Sequence, residues 1–172
     1  GALGGRAVLW KEMNVDHWKE QMALRDPALV VVQYGTNESE MGVIDDAAYG
    51  KSMGDLVEHL KTAAPEASIL VASPLDRAER DENGNLRSLK LILKIVELQQ
   101  QIAKEHGVAF WSTFEAMGGK GSMAKWVKKG LAGGDLTHPS PAGAQILGDL
   151  FFSALTTGYD AYASRHKDAP QN

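Results

Sequence analysis

Cysteine is missing from the 172 residues. Its absence excludes disulfides, a thiolate nucleophile and cysteine-based zinc sites, and leaves the redox compartment open. Also missing is any run approaching the ~18 consecutive apolar residues of a membrane span. Charge of one sign is scarce as well: 18 Lys and Arg stand against 22 Asp and Glu, a formal net charge of −4. The cations are scattered, so nucleic acid is not an expected partner. There is no internal repeat and no low-complexity segment. The 44% of hydrophobic residues is enough for one sizeable core. Residues 1–163 therefore read as one domain, with 164–172 as a polar tail.

Against these absences stands one dense stretch, Gly133 to Ala144, reading Gly-Gly-Asp-Leu-Thr-His-Pro-Ser-Pro-Ala-Gly-Ala. Gly133, Gly134, Pro139 and Pro141 keep Asp135 and His138 out of regular helix, on a loop fixed by its own punctuation. Ser140 suits an N-cap with Pro141 at the first helical position, and Ile146, Leu147, Leu150 and Phe151 suggest a buried helix behind the loop. A carboxylate held against an imidazole can orient it as a general base, or both can ligate a metal. A surface pair without a role fits the spacing equally well.

Along the chain, Gly1, Gly4 and Gly5 come within the first five residues with no strand before them, which reads as a junction inside a longer domain. Ala7–Leu24 has a helical pattern ended by Asp26-Pro27. Ala28–Tyr34 is a β-branched, uncharged run, the pattern of a strand buried on both faces of a parallel sheet, and it leads into Gly35-Thr36-Asn37-Glu38. Helices are expected over Asp45–Ala64 and Arg87–His106, strands over Ala67–Ser73 and Val108–Trp111, and a mobile charged excursion over Arg80–Asn85. Alternating strands and helices predict a three-layer α/β/α sandwich with a mainly parallel sheet. In such sheets ligands bind beyond the carboxyl ends of the strands, so Asn37, the Pro74–Asp76 turn, Trp111 and the Asp135–His138 loop should converge. There the Asn37 amide can donate to a developing oxyanion, or merely cap a turn.

Gly-Thr-Asn-Glu after a strand, followed near the C-terminus by Asp-x-x-His and a Pro-x-Gly helix start, resembles the SGNH (GDSL-type) hydrolases, whose fold is flavodoxin-like. Gly1-Ala2-Leu3-Gly4-Gly5 resembles their glycine block. The resemblance implies His138 as general base, Asp135 as its orienting carboxylate, and Asn37 with the Gly4 N–H as oxyanion hole. It implies acyl transfer to serine, with no cofactor and no metal. The family's Gly-Asp-Ser block is not in this chain. Ser39, Ser73, Ser112 and Ser140 do not sit in a strand-to-helix nucleophile turn, so the nucleophile is expected from an upstream segment or a second chain.

Gly-Thr-Asn-Glu, Ser-Pro-Leu-Asp, Met117-Gly118-Gly119 with Trp126, and the closing Tyr159-Asp160-Ala161-Tyr162 resemble bacterial peptidoglycan O-acetylesterases. In these a β-sandwich module interrupts the hydrolase domain after the nucleophile block. The expected function is thus a carbohydrate O-acetylesterase acting on an acetylated polymer, peptidoglycan first, in the periplasm or outside the cell. The same scaffold would serve a lysophospholipase or thioesterase, and a serine-less relative would be a carbohydrate- or partner-binding domain. An apolar trough beside His138 would favour acyl chains, and polar walls would favour sugar. Trp126 and Tyr159 are expected to pack rather than touch substrate, and Trp10, Trp18 and Trp111 either line a sugar site or are buried. His17, His59, His106 and His166 are expected to be solvated or capping, and one of Asp45, Asp46 or Asp76 would be needed to complete a metal site.

Overall fold

The computed structural model describes residues 5–12 and 14–166, so the glycine block up to Gly4 lies outside the described residues. A 3-10 stretch over Ala7–Glu12 is followed by α1 (Val15–Arg25), β1 (Leu29–Gln33), a short 3-10 turn Glu38–Met41, α2 (Asp46–Ala63), β2 (Ser68–Ala72), β3 (Ala78–Arg80) and β4 (Leu86–Ser88). Then come α3 (Lys90–Glu105), β5 (Ala109–Trp111), α4 (Thr113–Ala116), α5 (Ser122–Lys128) and α6 (Pro141–Arg165). Strands β1, β2 and β5 form a parallel sheet in the order β1-β2-β5.

The register assigns the faces. Val32, Val71 and Phe110 lie in one row across the sheet, and Gln33, Ala72 and Trp111 in the next. Because side chains alternate along a strand, the first row faces one way and the second the other. The Val32 face is closed by α2 and α3: Met53, Leu56, Val57, Leu60, Leu91, Ile95 and Ile102 join it in one buried cluster. On the opposite face Phe151 of α6 meets Trp111 edge-on, with centroids 4.8 Å apart, so α6 forms the third layer.

That layer departs from expectation. Among the described residues β1 is paired on one side only, and on the α6 face Leu29 is 37% and Val31 44% exposed. The reading of β1 as buried on both faces therefore fails, because a β-branched run marks a strand able to be buried whether or not its cover is present. Likewise α6 has Gly143 as its one buried residue and leaves Ile146, Leu150, Phe152 and Tyr159 exposed. Tyr159 is thus not a packing residue, whereas Trp126 is, donating from Nε1 to the Met117 carbonyl at 2.9 Å.

Other elements differ locally. The first helical pattern is two pieces, because the Asn14 side chain accepts from the His17 N–H and restarts the chain as α1. The Arg80–Asn85 excursion is the tip of the β3–β4 hairpin: Asp81 Oδ1 accepts from the N–H groups of Asn83 and Asn85, an ordered turn of the kind short Asp side chains build. Arg87 belongs to β4, so α3 begins at Lys90. His59 is not solvated but lies between Trp10 and Trp18, at centroid distances of 4.9 and 5.1 Å. Burial first, and Lys19 second, hold its imidazole below the usual value. His106 pairs with Glu58 at 2.7 Å.

Candidate active site

Everything of chemical interest gathers beyond the carboxyl ends of β1 and β2. The Asp135 loop is closed on itself: Gly133 N–H donates to the His138 carbonyl at 2.8 Å and Leu136 N–H to the Gly133 carbonyl at 3.1 Å. Leu136 takes a left-handed backbone, φ 61°, which is uncommon for a residue with a branched side chain. Its side chain packs into the cluster of Met117, Met123, Trp126 and Ala132, which holds it there. Ser140 accepts from the Gly143 N–H and donates to the Gly130 carbonyl, with Pro141 next, so the loop ends on a capped helix as its sequence implies. Only glycine fits at 143, because a Cβ there would overlap the Leu131 carbonyl.

Within this loop Asp135 makes three bonds. Its Oδ1 accepts from the N–H groups of Thr137 and His138 at 3.0 and 3.1 Å, and Oδ2 lies 2.7 Å from His138 Nδ1. A carboxylate accepts only, so Nδ1 carries a proton, and in the neutral ring Nε2 is the nitrogen with the lone pair. The histidine side chain is 76% and the aspartate 53% exposed, so the pair stands largely in solvent. The bond from the His138 ring, followed by the His138 and Thr137 amides, pulls the Asp135 carboxyl down to about 2.

Across from this loop stands the Asn37 turn. Gly35 takes φ +115°, and a Cβ there would come within 2.8 Å of Ile95 and 3.0 Å of Pro74, so glycine alone permits the bend. The turn is held from below: Gln99 Nε2 donates to the Tyr34 carbonyl, and buried Glu38 accepts from the N–H groups of Gly35 and Ala7. Asn37 donates from Nδ2 to the Gly5 carbonyl at 2.7 Å, which ties it to the chain that leaves the glycine block. An amide NH₂ has two N–H bonds, so one remains for another acceptor.

Arg77 joins the two sides. Its Nε donates to Thr137 Oγ1 at 2.9 Å, Nη1 to Ser39 Oγ at 3.0 Å and the Thr36 carbonyl at 3.4 Å, and Nη2 to Glu40 at 3.0 Å. One guanidinium thus touches the residue before Asn37 and the residue before His138. The Thr36–Asn37 turn and the Asp135–His138 loop are bridged by one side chain, while Gly4 lies outside the described residues.

The remaining candidates are engaged elsewhere. Asp45 caps α2, Asp46 pairs with Lys94, and Asp76 is buried and accepts from the Met123 N–H. Ser39 donates to the Thr36 carbonyl, Ser73 to the Pro74 carbonyl, and Ser112 and Ser140 cap helices. Trp10 donates to the Ser52 carbonyl within the core, and Trp111 is half-buried against Phe151. Glu38 and Arg77 escape a reading of the sequence, since charged residues after a strand signal solvent unless their partners are known. The one available signal was position, each lying a few residues beyond the carboxyl end of a strand of the parallel sheet.

Residues 2–146 match the model of the GDSL-like lipase/acylhydrolase family. No curated protein matches the chain. Among solved structures, a peptidoglycan O-acetylesterase superposes with a TM-score of 0.84 at 25% identity, over 92% of this chain and 45% of its own. The chain therefore spans less than half the length of that protein. An acetylxylan esterase from Geobacillus stearothermophilus gives 0.62 at 21%, covering 87% of this chain and 67% of its own. The acetyl xylan esterase AlAXEase gives 0.66 at 17%, with 90% and 78% covered. Catalytic mutants of the Geobacillus enzyme have been made at a serine, an aspartate and a histidine, the last two separated by two residues. The extent of the family match and the parallel α/β architecture together establish that the chain belongs to the GDSL-like lipase/acylhydrolase family, on an SGNH hydrolase fold.

Proposed function

We propose that the chain is the larger part of the hydrolase domain of a serine-type carbohydrate O-acetylesterase, with O-acetyl groups of peptidoglycan as its first substrate. The observation that carries this reading is the exposed, Asp135-held imidazole of His138 on a loop that Arg77 ties to the turn carrying Asn37. His138 takes the proton of an attacking serine hydroxyl as the oxygen bonds to the acetyl carbonyl carbon. Asp135 fixes the ring tautomer and stabilises the imidazolium. The free N–H of Asn37 and the Gly4 N–H donate to the tetrahedral oxyanion, a contribution of about 2.7–4 kcal/mol per donor. The imidazolium then protonates the departing sugar alkoxide, and water, activated by the same imidazole, releases acetate. No metal or cofactor enters these steps.

The nucleophile comes from a segment outside residues 1–172, upstream in the same product or on a second chain. The edge of β1 that is unpaired among the described residues, with Leu29 and Val31 uncovered beside it, supports a strand seated there. Sugar rather than an acyl chain is supported by the polar bridge between the His138 loop and the Asn37 turn, built from Thr137, Arg77, Thr36 and Glu40. The Asp-x-x-His spacing shared with the Geobacillus catalytic mutants supports the paired roles. A cell-wall substrate would place the enzyme in the periplasm or outside the cell.

The test uses the protein with its serine-bearing segment, assayed on acetylated peptidoglycan, acetylated xylan and a long-chain p-nitrophenyl ester. Acetate release from polymer is expected. His138→Ala should abolish it with the fold intact, and Asn37→Ala should lower kcat about 10²–10³-fold. Preference for the long-chain ester, or activity of residues 1–172 alone, would overturn the reading.

A further inference from the structure

We infer that Arg77 is a positioning residue that sets the separation between the Asn37 amide and the His138 imidazole, an inference that rests on the function proposed above. Four of its five N–H groups are taken by protein acceptors: Thr137 Oγ1, Ser39 Oγ, the Thr36 carbonyl and Glu40. A guanidinium so committed has little left for substrate, and its side chain is only 20% exposed. What it does is hold two loops that have no backbone ladder between them.

The grip falls on the residue adjoining each functional side chain. Thr137, between Leu136 and His138, gives its hydroxyl oxygen to Arg77 and its own O–H to the Asp135 carbonyl at 3.2 Å. The Leu136 carbonyl accepts from the Ala78 N–H at 3.0 Å, so the residue next to Arg77 fixes the height of the same loop over the end of β2. On the far side Arg77 reaches the Thr36 carbonyl, which belongs to the peptide bond leading into Asn37. Planarity of the guanidinium makes this a strut of fixed length, which a lysine ammonium on its flexible stem cannot copy. The base acts on the hydroxyl that attacks the ester carbon and the oxyanion donor on the carbonyl oxygen of the same ester, so a displacement of about 1 Å between them can cost on the order of 10²-fold in rate.

Two measurements test this. In the enzyme complete with its serine, Arg77→Ala and Arg77→Lys should each lower kcat about 10–100-fold with KM held within about threefold. Full kcat in a folded Arg77→Lys variant would overturn the inference. On residues 1–172 the readout is the NMR signal of the Asn37 side-chain amide, which does not depend on activity. Thr137→Val, which deletes one acceptor, should shift that signal in the Arg77 protein and leave it unmoved in the Arg77→Ala background. An Asn37 signal indifferent to Thr137→Val in the Arg77 protein would overturn the coupling, and because Thr137→Val keeps Arg77 it serves even where Arg77→Ala does not fold. If the complete wild-type protein hydrolyses no ester, the proposed function fails, while the NMR result still decides whether Arg77 couples the loops.

Discussion

Asp135 owes its acidity to what it holds rather than to burial. Three donors converge on its two oxygens, and the carboxyl falls from 3.8 to about 2 although the side chain stands half in solvent. A depressed carboxyl contributes stability that is fully present above its unfolded value and is lost as pH falls through the folded one. The window here runs from about 3.8 down to about 2. The expected signature is a low-field proton NMR signal from His138 Nδ1–H that survives acidification to pH 3 and disappears towards pH 2. Asp135→Asn should lack the signal at every pH, because its amide NH₂ would meet the ring N–H. A signal lost already at pH 5 would mean that the ring and the carboxylate are not paired in solution. The Asp135–His138 pairing was legible as a local spacing, though an idle surface pair fits that spacing equally well, and it was the resemblance to SGNH hydrolases that singled out these residues and Asn37. Glu38 and Arg77 were not, because what makes them matter is partners in distant segments: Ala7 for the first and Thr137 for the second.

At the level of elements, legibility follows periodicity. Helices α2 and α3 carry clear apolar stripes and end where Pro65 and Gly107 predict, whereas the β3–β4 hairpin is too short and too polar to announce itself. The turn after β1 is the element on which the site depends most, and Gly35 is its constraint. Alanine at 35 would add the strain of a positive φ, about 1–3 kcal/mol, to the overpacking of Ile95 and Pro74, about 1–3 kcal/mol. Gly42 also has a positive φ, but a Cβ there meets nothing within 4 Å. Urea unfolding should therefore show Gly35→Ala less stable than Gly42→Ala by the overpacking term. Equal midpoints would mean that the bend relaxes away from Ile95 and Pro74 at no cost.

For the molecule as a whole, the sheet is unevenly finished. Among the described residues strand β2 has partners on both sides, β1 on one, and the α6 face is open over Leu29 and Val31. The sequence could not reveal this, because the β-branched run of β1 states how it is to be covered and not what covers it. Backbone groups along an unpaired edge exchange with water, whereas those in a ladder wait for opening. In residues 1–172 alone, amide hydrogen exchange should thus be slowest in β2, and alternate amides of β1, those turned away from β2, should exchange quickly. Supplying the serine-bearing segment should slow those same β1 amides on the order of 10–100-fold, equivalent to roughly 1.4–2.8 kcal/mol of added protection. Protection appearing instead along β5, with β1 unchanged, would put the segment on the wrong edge, away from the strand that leads into Asn37. The serine would then stand two strands away from the turn that carries Asn37, and the proposed pairing of nucleophile and oxyanion donor would fail on topology even with every side chain of the site in place.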